Sequence, residues 1–189
     1  VCINGPRMLQ VDASDPRELT KAERDGAHQA IAFTNMLKKY VGGFEDAFIS
    51  HINDTIGIRE TRRIIGGRTL CLEQALAGSI ADDSIALAAY FIDIHSSKDF
   101  TSNGMKVKTP YGIPYLCLVG KSYDNLLMTG RCISVDRMVF GSIRVMGTCL
   151  AIGEAAGTGA ALAIRKKCNP GEVSASDIRR ILIENGGIL

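Results

Sequence analysis

The chain has 189 residues, with 22 Lys and Arg against 20 Asp and Glu, 46% apolar residues and 22% charged ones. That composition suits one compact domain or two small ones and excludes an intrinsically disordered chain. A formal net charge of +2 gives no excess positive field to draw in a phosphate polymer, so no nucleic-acid partner is expected.

Cys2, Cys71, Cys117, Cys132, Cys149 and Cys168 are dispersed. No two are spaced like a zinc clip or a redox dithiol, so they read as reduced core residues and no metal site is expected. This pattern suits a reducing compartment, and the cytoplasm is the expected location. The chain begins at Val1, with neither the basic nor the apolar region of a signal peptide, and is expected to be a fragment of a longer protein. Residues 145–164 are apolar or small apart from Glu154 and two threonines. Their Ala and Gly content, and a mid-span carboxylate costing about 2 kcal/mol or more, argue against a membrane span.

Residues 1–19 read as irregular. Thr20-Lys21-Ala22-Glu23 then has the spacing of a capping box, which predicts a helix starting there. Ala27, Ile31, Phe33, Leu37, Tyr40 and Val41 follow near the helical period until Gly42-Gly43 supplies the stop. Residues 48–58 mix β-branched and polar side chains and predict a strand. The segment Gly57-Ile58-Arg59-Glu60-Thr61-Arg62-Arg63-Ile64-Ile65-Gly66-Gly67 places three arginines between apolar pairs. It is either a solvated edge with internal Glu–Arg pairing or a set of guanidinium groups buried with partners.

Residues 70–77 predict a short helix ending at Gly78, and residues 84–89 a second apolar stretch. Tyr90-Phe91-Ile92-Asp93-Ile94-His95 alternates as a strand with His95 at its end; a lone histidine is more often structural than catalytic, but strand ends are where binding side chains tend to be placed. Residues 96–109 are polar and contain Asn103-Gly104; they read as a hairpin tip or, by preference, a mobile loop. Residues 111–119 predict an extended segment with Pro114 at an edge or entry position, followed by a turn over residues 121–125.

Leu126-Leu127-Met128-Thr129-Gly130-Arg131 reads as a buried strand whose terminal glycine admits something bulky. A helix over residues 146–164 follows Gly141-Ser142-Ile143-Arg144, and its free amides can face an electron-rich group. Gly153, Ala156, Gly157, Ala160 and Ala161 recur at three- and four-residue steps. They form a face without bulk, suited either to close helix–sheet packing or to a nearby flat ring. A last short helix runs from Ser174 or Ser176 to about Asn185, with Gly186-Gly187 ending it.

In chain order, Thr20-Lys21-Ala22-Glu23, Gly57 through Gly66, residues 90–95, Ile113-Pro114-Tyr115, residues 125–134 and residues 141–157 resemble the FAD-dependent oxidoreductases of the glutathione-reductase-like superfamily. The resemblance covers most of the chain and implies the carboxy-terminal portion of such a flavoenzyme, missing an amino-terminal FAD-binding region. The Gly-x-Gly-x-x-Gly turn that holds the ADP half of FAD is absent from this chain, so FAD is expected in the full-length protein and only weakly, or not at all, on this piece. Gly147 stands where proline is common in the family, and Glu154 where glutamine is common.

The resemblance implies that the strand ending at Gly130-Arg131 passes the pyrophosphate and ribityl region, with Arg144, Val145 and Met146 beside the pyrimidine edge of the flavin. Gly130, Arg131, Ser142, Arg144, Val145 and Met146 are therefore the expected cofactor-binding residues. Arg62, His95 and Tyr115 are the candidate catalytic residues, because oxidation of a small-molecule substrate needs a base for the departing proton and a cation or hydroxyl on its oxygen. The expected fold is α+β. A mixed-sheet, substrate-facing domain covers residues 1–125, and the end of a flavin domain, with its strand and long small-residue helix, covers residues 126–189.

Uncovered edges of that partial sheet would favour a homodimer. The competing reading is a non-catalytic domain whose small-residue helix packs on a partner protein. A phosphate-binding hydrolase is disfavoured: neither a phosphate-cradling loop followed by lysine nor a nucleophile elbow is present.

Overall fold

The computed structural model describes residues 1–95 and 102–189, with the side chains of His95, Ser102 and Asn103 outside that description. It is α+β and divides into two compact units, the first Val1–Thr61 and the second beginning at Arg62. The predicted division at residue 125 falls inside the second unit.

The first unit is built on one long helix, α1 (Pro16–Tyr40). It starts four residues before the predicted Thr20, because Asp15-Pro16 makes the better beginning. The Asp15 carboxylate accepts from the Arg17 amide at 2.8 Å, and Pro16 occupies a position whose amide would have no helical partner. Thr20 lies inside the helix and donates its hydroxyl to the Pro16 carbonyl. The predicted strand over residues 48–58 does not form; that stretch is irregular. A strand requires a neighbour to satisfy its backbone groups, and none pairs with it among the described residues.

The second unit holds α2 (Leu72–Leu76), β1 (Ser84–Ala88), β2 (Ile92–His95), β3 (Ser102–Met105), β4 (Tyr111–Pro114), α3 (Arg137–Ile143), α4 (Met146–Lys166) and α5 (Ala175–Glu184). Antiparallel pairing joins β1 to β4, with Leu87 opposite Gly112, and β2 to β3, with Asp93 opposite Gly104. Of the polar stretch over residues 96–109, residues 102–105 form an arm of the hairpin and residues 106–109 are irregular, while residues 96–101 lie outside the described residues. The predicted strand over residues 126–129 reduces to one antiparallel bridge, Leu127 with Val119, supported by the Met128 amide on the Leu118 carbonyl at 2.8 Å. The one parallel contact among the described residues is the Leu70–Val135 bridge.

The core lies where α4 and α5 cover the β1–β4 pair, with Ile85, Tyr111, Ile113, Tyr115, Ile152 and Ile178 fully buried. Close approach is set by Gly159: a Cβ there would fall 2.7 Å from the Tyr115 hydroxyl oxygen. Tyr115 donates that hydroxyl to the Pro170 carbonyl at 3.0 Å, so swinging the phenol away would break this part-buried bond. Gly147 and Gly157, by contrast, face open space. The two readings of the small-residue helix thus divide by residue: Gly159 serves packing, and packing accounts for neither Gly147 nor Gly157.

Opposite outcomes are expected for two Gly→Ala changes in α4. Gly159→Ala is expected to cost about 1–3 kcal/mol through overpacking, despite a gain in helix propensity of roughly 1 kcal/mol. Gly157→Ala, with nothing to strike, is expected to gain up to about 1 kcal/mol. Urea unfolding midpoints of the two variants check both signs.

Candidate functional site

Residues 126–132 lead into the site. After the Leu127 bridge the chain reaches Gly130 at φ +64°, a left-handed conformation that suits glycine, and makes a short 3-10 turn, Gly130–Cys132. This turn packs on the start of α4. A Cβ on Gly130 would lie 4.0 Å from Cys149 Sγ, and one on Gly153 would lie 3.8 Å from Thr129 Oγ1. Burial pushes the Cys149 thiol upward in pKa, and the guanidinium of Arg131, a member of the turn itself, pulls it partway back. Gly130, Arg131 and the first turns of α4 are therefore brought together.

The sequence pattern does not announce α3, yet this helix aims the rest. Asp136 caps it by accepting from the Val139 amide at 2.7 Å, while its other oxygen accepts from the Leu72 amide at the start of α2 at 2.6 Å. Arg144 closes α3, and Val145, in extended conformation, precedes α4. No side chain caps α4 and its first turn carries no acid, so amide donors at that end are left for another acceptor. Met146 is 84% exposed and Gly147 is open beside it.

Ser142 and Arg144 face the other way. Ser142 is fully buried and donates to the Tyr90 carbonyl at 2.5 Å. Arg144 Nη2 donates to Asp93 Oδ2 at 2.6 Å, with each side chain about 15% exposed. Its charge is thus matched by a carboxylate on β2, a partner that the alternation of residues 90–95 does not reveal.

The candidate catalytic residues are not gathered into one cluster. Arg62 is exposed, while its neighbour Arg63 stacks on Phe140 with 5.4 Å from guanidinium to ring centre. His95 ends β2. Tyr115 lies in the core against Gly159, about 20 Å along the helix axis from Met146 at 1.5 Å per residue. Burial holds its phenol in the neutral form, with the pKa pushed up to about 12.

A sequence profile described as FAD dependent oxidoreductase matches residues 2–182, nearly the whole chain. The chain belongs to that family. FAD is accordingly its cofactor, and its function is of the flavin oxidoreductase type. Neither the curated proteins nor the solved structures contain a match to it. The donor set at the α4 start fits a flavin: uncapped amides suit its electron-rich pyrimidine edge, and no atom of this unit comes within 4 Å of a Cβ added at Gly147. The dinucleotide half finds no matching glycine turn in this FAD dependent oxidoreductase chain.

The buried phenols and thiol give the alkaline stability a definite sign. Tyr111, Tyr115 and Cys117 are each raised to about 12 by burial, from 10.0 for the tyrosines and 9.0 for the cysteine. The folded chain therefore keeps protons that the unfolded chain releases, and stability falls as pH rises from about 9 toward about 12. Tyr115→Phe is expected to flatten part of that fall above about pH 10, measured as unfolding midpoint against pH. Tyrosinate absorbance at neutral pH from Tyr115 would contradict it.

Proposed function

We propose that residues 126–189 supply the isoalloxazine side of the flavin site, and that residues 1–125 supply the substrate-facing part of an oxidoreductase acting on a small molecule. The observation that carries this reading is the packing of left-handed Gly130 on Cys149, next to an α4 start that has neither a side-chain cap nor an acid. Bound FAD supplies two-electron exchange with the substrate. The amides at the start of α4, with Val145 and Met146, would hold the pyrimidine edge and favour negative charge there. Arg131, beside Cys149, adds a positive charge on the same side.

On the substrate side, His95 at the end of β2 takes the proton released on oxidation, and Arg62 holds the substrate oxygen. Tyr115 takes no catalytic role: its hydroxyl is spent on Pro170 in the core. Ser142 supports the site from behind through Tyr90. The outward face of α4, with Met146, Leu150 and Ile164 exposed, is assigned to the part of the flavin domain that carries the dinucleotide turn.

Two variants of the flavin-loaded protein test this reading. Gly147→Leu is expected to leave the unfolding midpoint of the flavin-free chain within about 0.5 kcal/mol, because its site is open, yet to weaken flavin binding tenfold or more, about 1.4 kcal/mol. Titration followed by flavin absorbance reads this directly, and unaltered affinity would remove α4's start from the site. His95→Gln is expected to slow turnover by about 10²-fold or more; turnover at the parent rate would remove His95.

A further inference from the structure

Among the described residues of the first unit, Ala22 alone is buried, and so small a core leaves apolar surface to be covered from outside. The unit's two exposed aromatic rings lie at the end of α1 and just beyond it: Tyr40 is 69% exposed and Phe48 83%, with Val41 exposed between them. Gly43, at φ +87°, lets the chain reverse there. The Phe44 amide meets the Val41 carbonyl at 3.2 Å, and the Ala47 amide meets the Phe44 carbonyl at 3.0 Å. Two turns in succession, each with its ends within about 7 Å, hold residues 40–48 in one compact knuckle.

Opposite charges bracket this knuckle. Lys38 and Lys39 end α1, and Lys39 Nζ lies 5.0 Å from the centre of the Tyr40 ring. Glu45 and Asp46 occupy the second turn, where Glu45 accepts from the Gly43 amide at 3.1 Å. Among the described residues, no ion pair uses any of these four side chains.

We propose that the knuckle is a contact between two copies of this chain, packed about a two-fold axis with Tyr40 and Phe48 at its centre. A two-fold contact must be complementary to itself. Here the axis sets Lys38 and Lys39 of one copy against the second copy's acidic turn, and the same pairing recurs on the other side. The two rings alone expose on the order of 300 Å². A specific contact buries about 800 Å² on each partner, a little over half of it apolar, so the rings form its core and the charges its rim. An anionic lipid surface would be repelled by Glu45 and Asp46, and a partner of one charge sign would leave one of the two pairs facing like charge. The homodimer expected from uncovered sheet edges is thereby placed on the first unit, and it needs nothing of the flavin site.

Analytical ultracentrifugation of the full-length protein tests this. Contacts of such a size range from about micromolar to picomolar in affinity, so the parent is expected to be dimeric at ~10 µM. Lys38→Glu with Lys39→Glu sets acid against acid, and Glu45→Lys with Asp46→Lys sets base against base. Each double variant is expected to pair about 100-fold more weakly or worse. Mixed in equal amounts, the two regain opposite charge at both contacts and are expected to form a heterodimer. A parent that stays monomeric at ~100 µM, above that affinity range, would overturn the proposal and leave the surface to a different partner. Dimers that persist in both double variants, or variants that fail to pair when mixed, would overturn it as well. If a charge-reversed variant does not fold, Phe48→Ala decides: loss of this exposed ring is expected to weaken pairing about tenfold or more, and unchanged pairing would sink the idea.

Discussion

One carboxylate starts two helices. Asp136 accepts from the Leu72 amide with one oxygen and from the Val139 amide with the other, and charge-assisted bonds of this length are among the stronger ones a surface-accessible acid can make. Its own amide is held by the Leu70 carbonyl at 3.0 Å. That fixes where α3 begins. With the start fixed, helical geometry places Gly141 on β2, Ser142 beneath Tyr90 and Arg144 against Asp93. The α4 start inherits its position from the same chain of contacts. Removing the Asp136 carboxylate would free two orphan helix ends at once.

The helices of this chain treat their dipoles unequally. α1 has Asp15 and Glu18 at its positive end and Lys38 and Lys39 at its negative end. α5 carries Asp177 in its first turn, where it also pairs with Lys166 of α4, and α3 has Asp136. α4 ends on Arg165 and Lys166 but begins with no acid and no cap. An electron-rich ring edge at that end would complete the complementarity that carboxylates supply elsewhere. A fixed acid there would instead oppose the charge that a reduced flavin accumulates.

Legibility in the sequence follows the range of the interactions involved. α4 and α5 are readable because their patterns are local: small residues at helical steps, Ser174 before the first turn and Asn185-Gly186 after the last. Residues 48–58 have strand composition but no partner to pair with among the described residues, and pairing is a property of the whole fold. α3, with seven residues, is too short for periodicity to declare itself; the cap at Asp136 is the available signal. The proximity of Gly130 to the α4 start is legible as a glycine before an uncapped helix. The fate of Arg144 is not, because its partner lies 51 positions away and both residues read equally well as solvated. Tyr115 misleads for the same reason: a tyrosine beside a proline does not reveal that Pro170 waits for its hydroxyl.

Each glycine in the interior of α4 costs about 1 kcal/mol against alanine, so each one retained needs a neighbour that an added methyl would strike. Gly159 has Tyr115, and Gly153 comes near Thr129. Gly147 and Gly157 meet nothing within 4 Å in this unit, although they share the outward side of the helix with exposed Met146, Leu150 and Ile164. No contact within this unit offsets the cost of the interior Gly157. On the proposed reading, a ring at Gly147 and flavin-domain backbone at Gly157 would answer both positions, since each would approach more closely than a side chain at either place would permit.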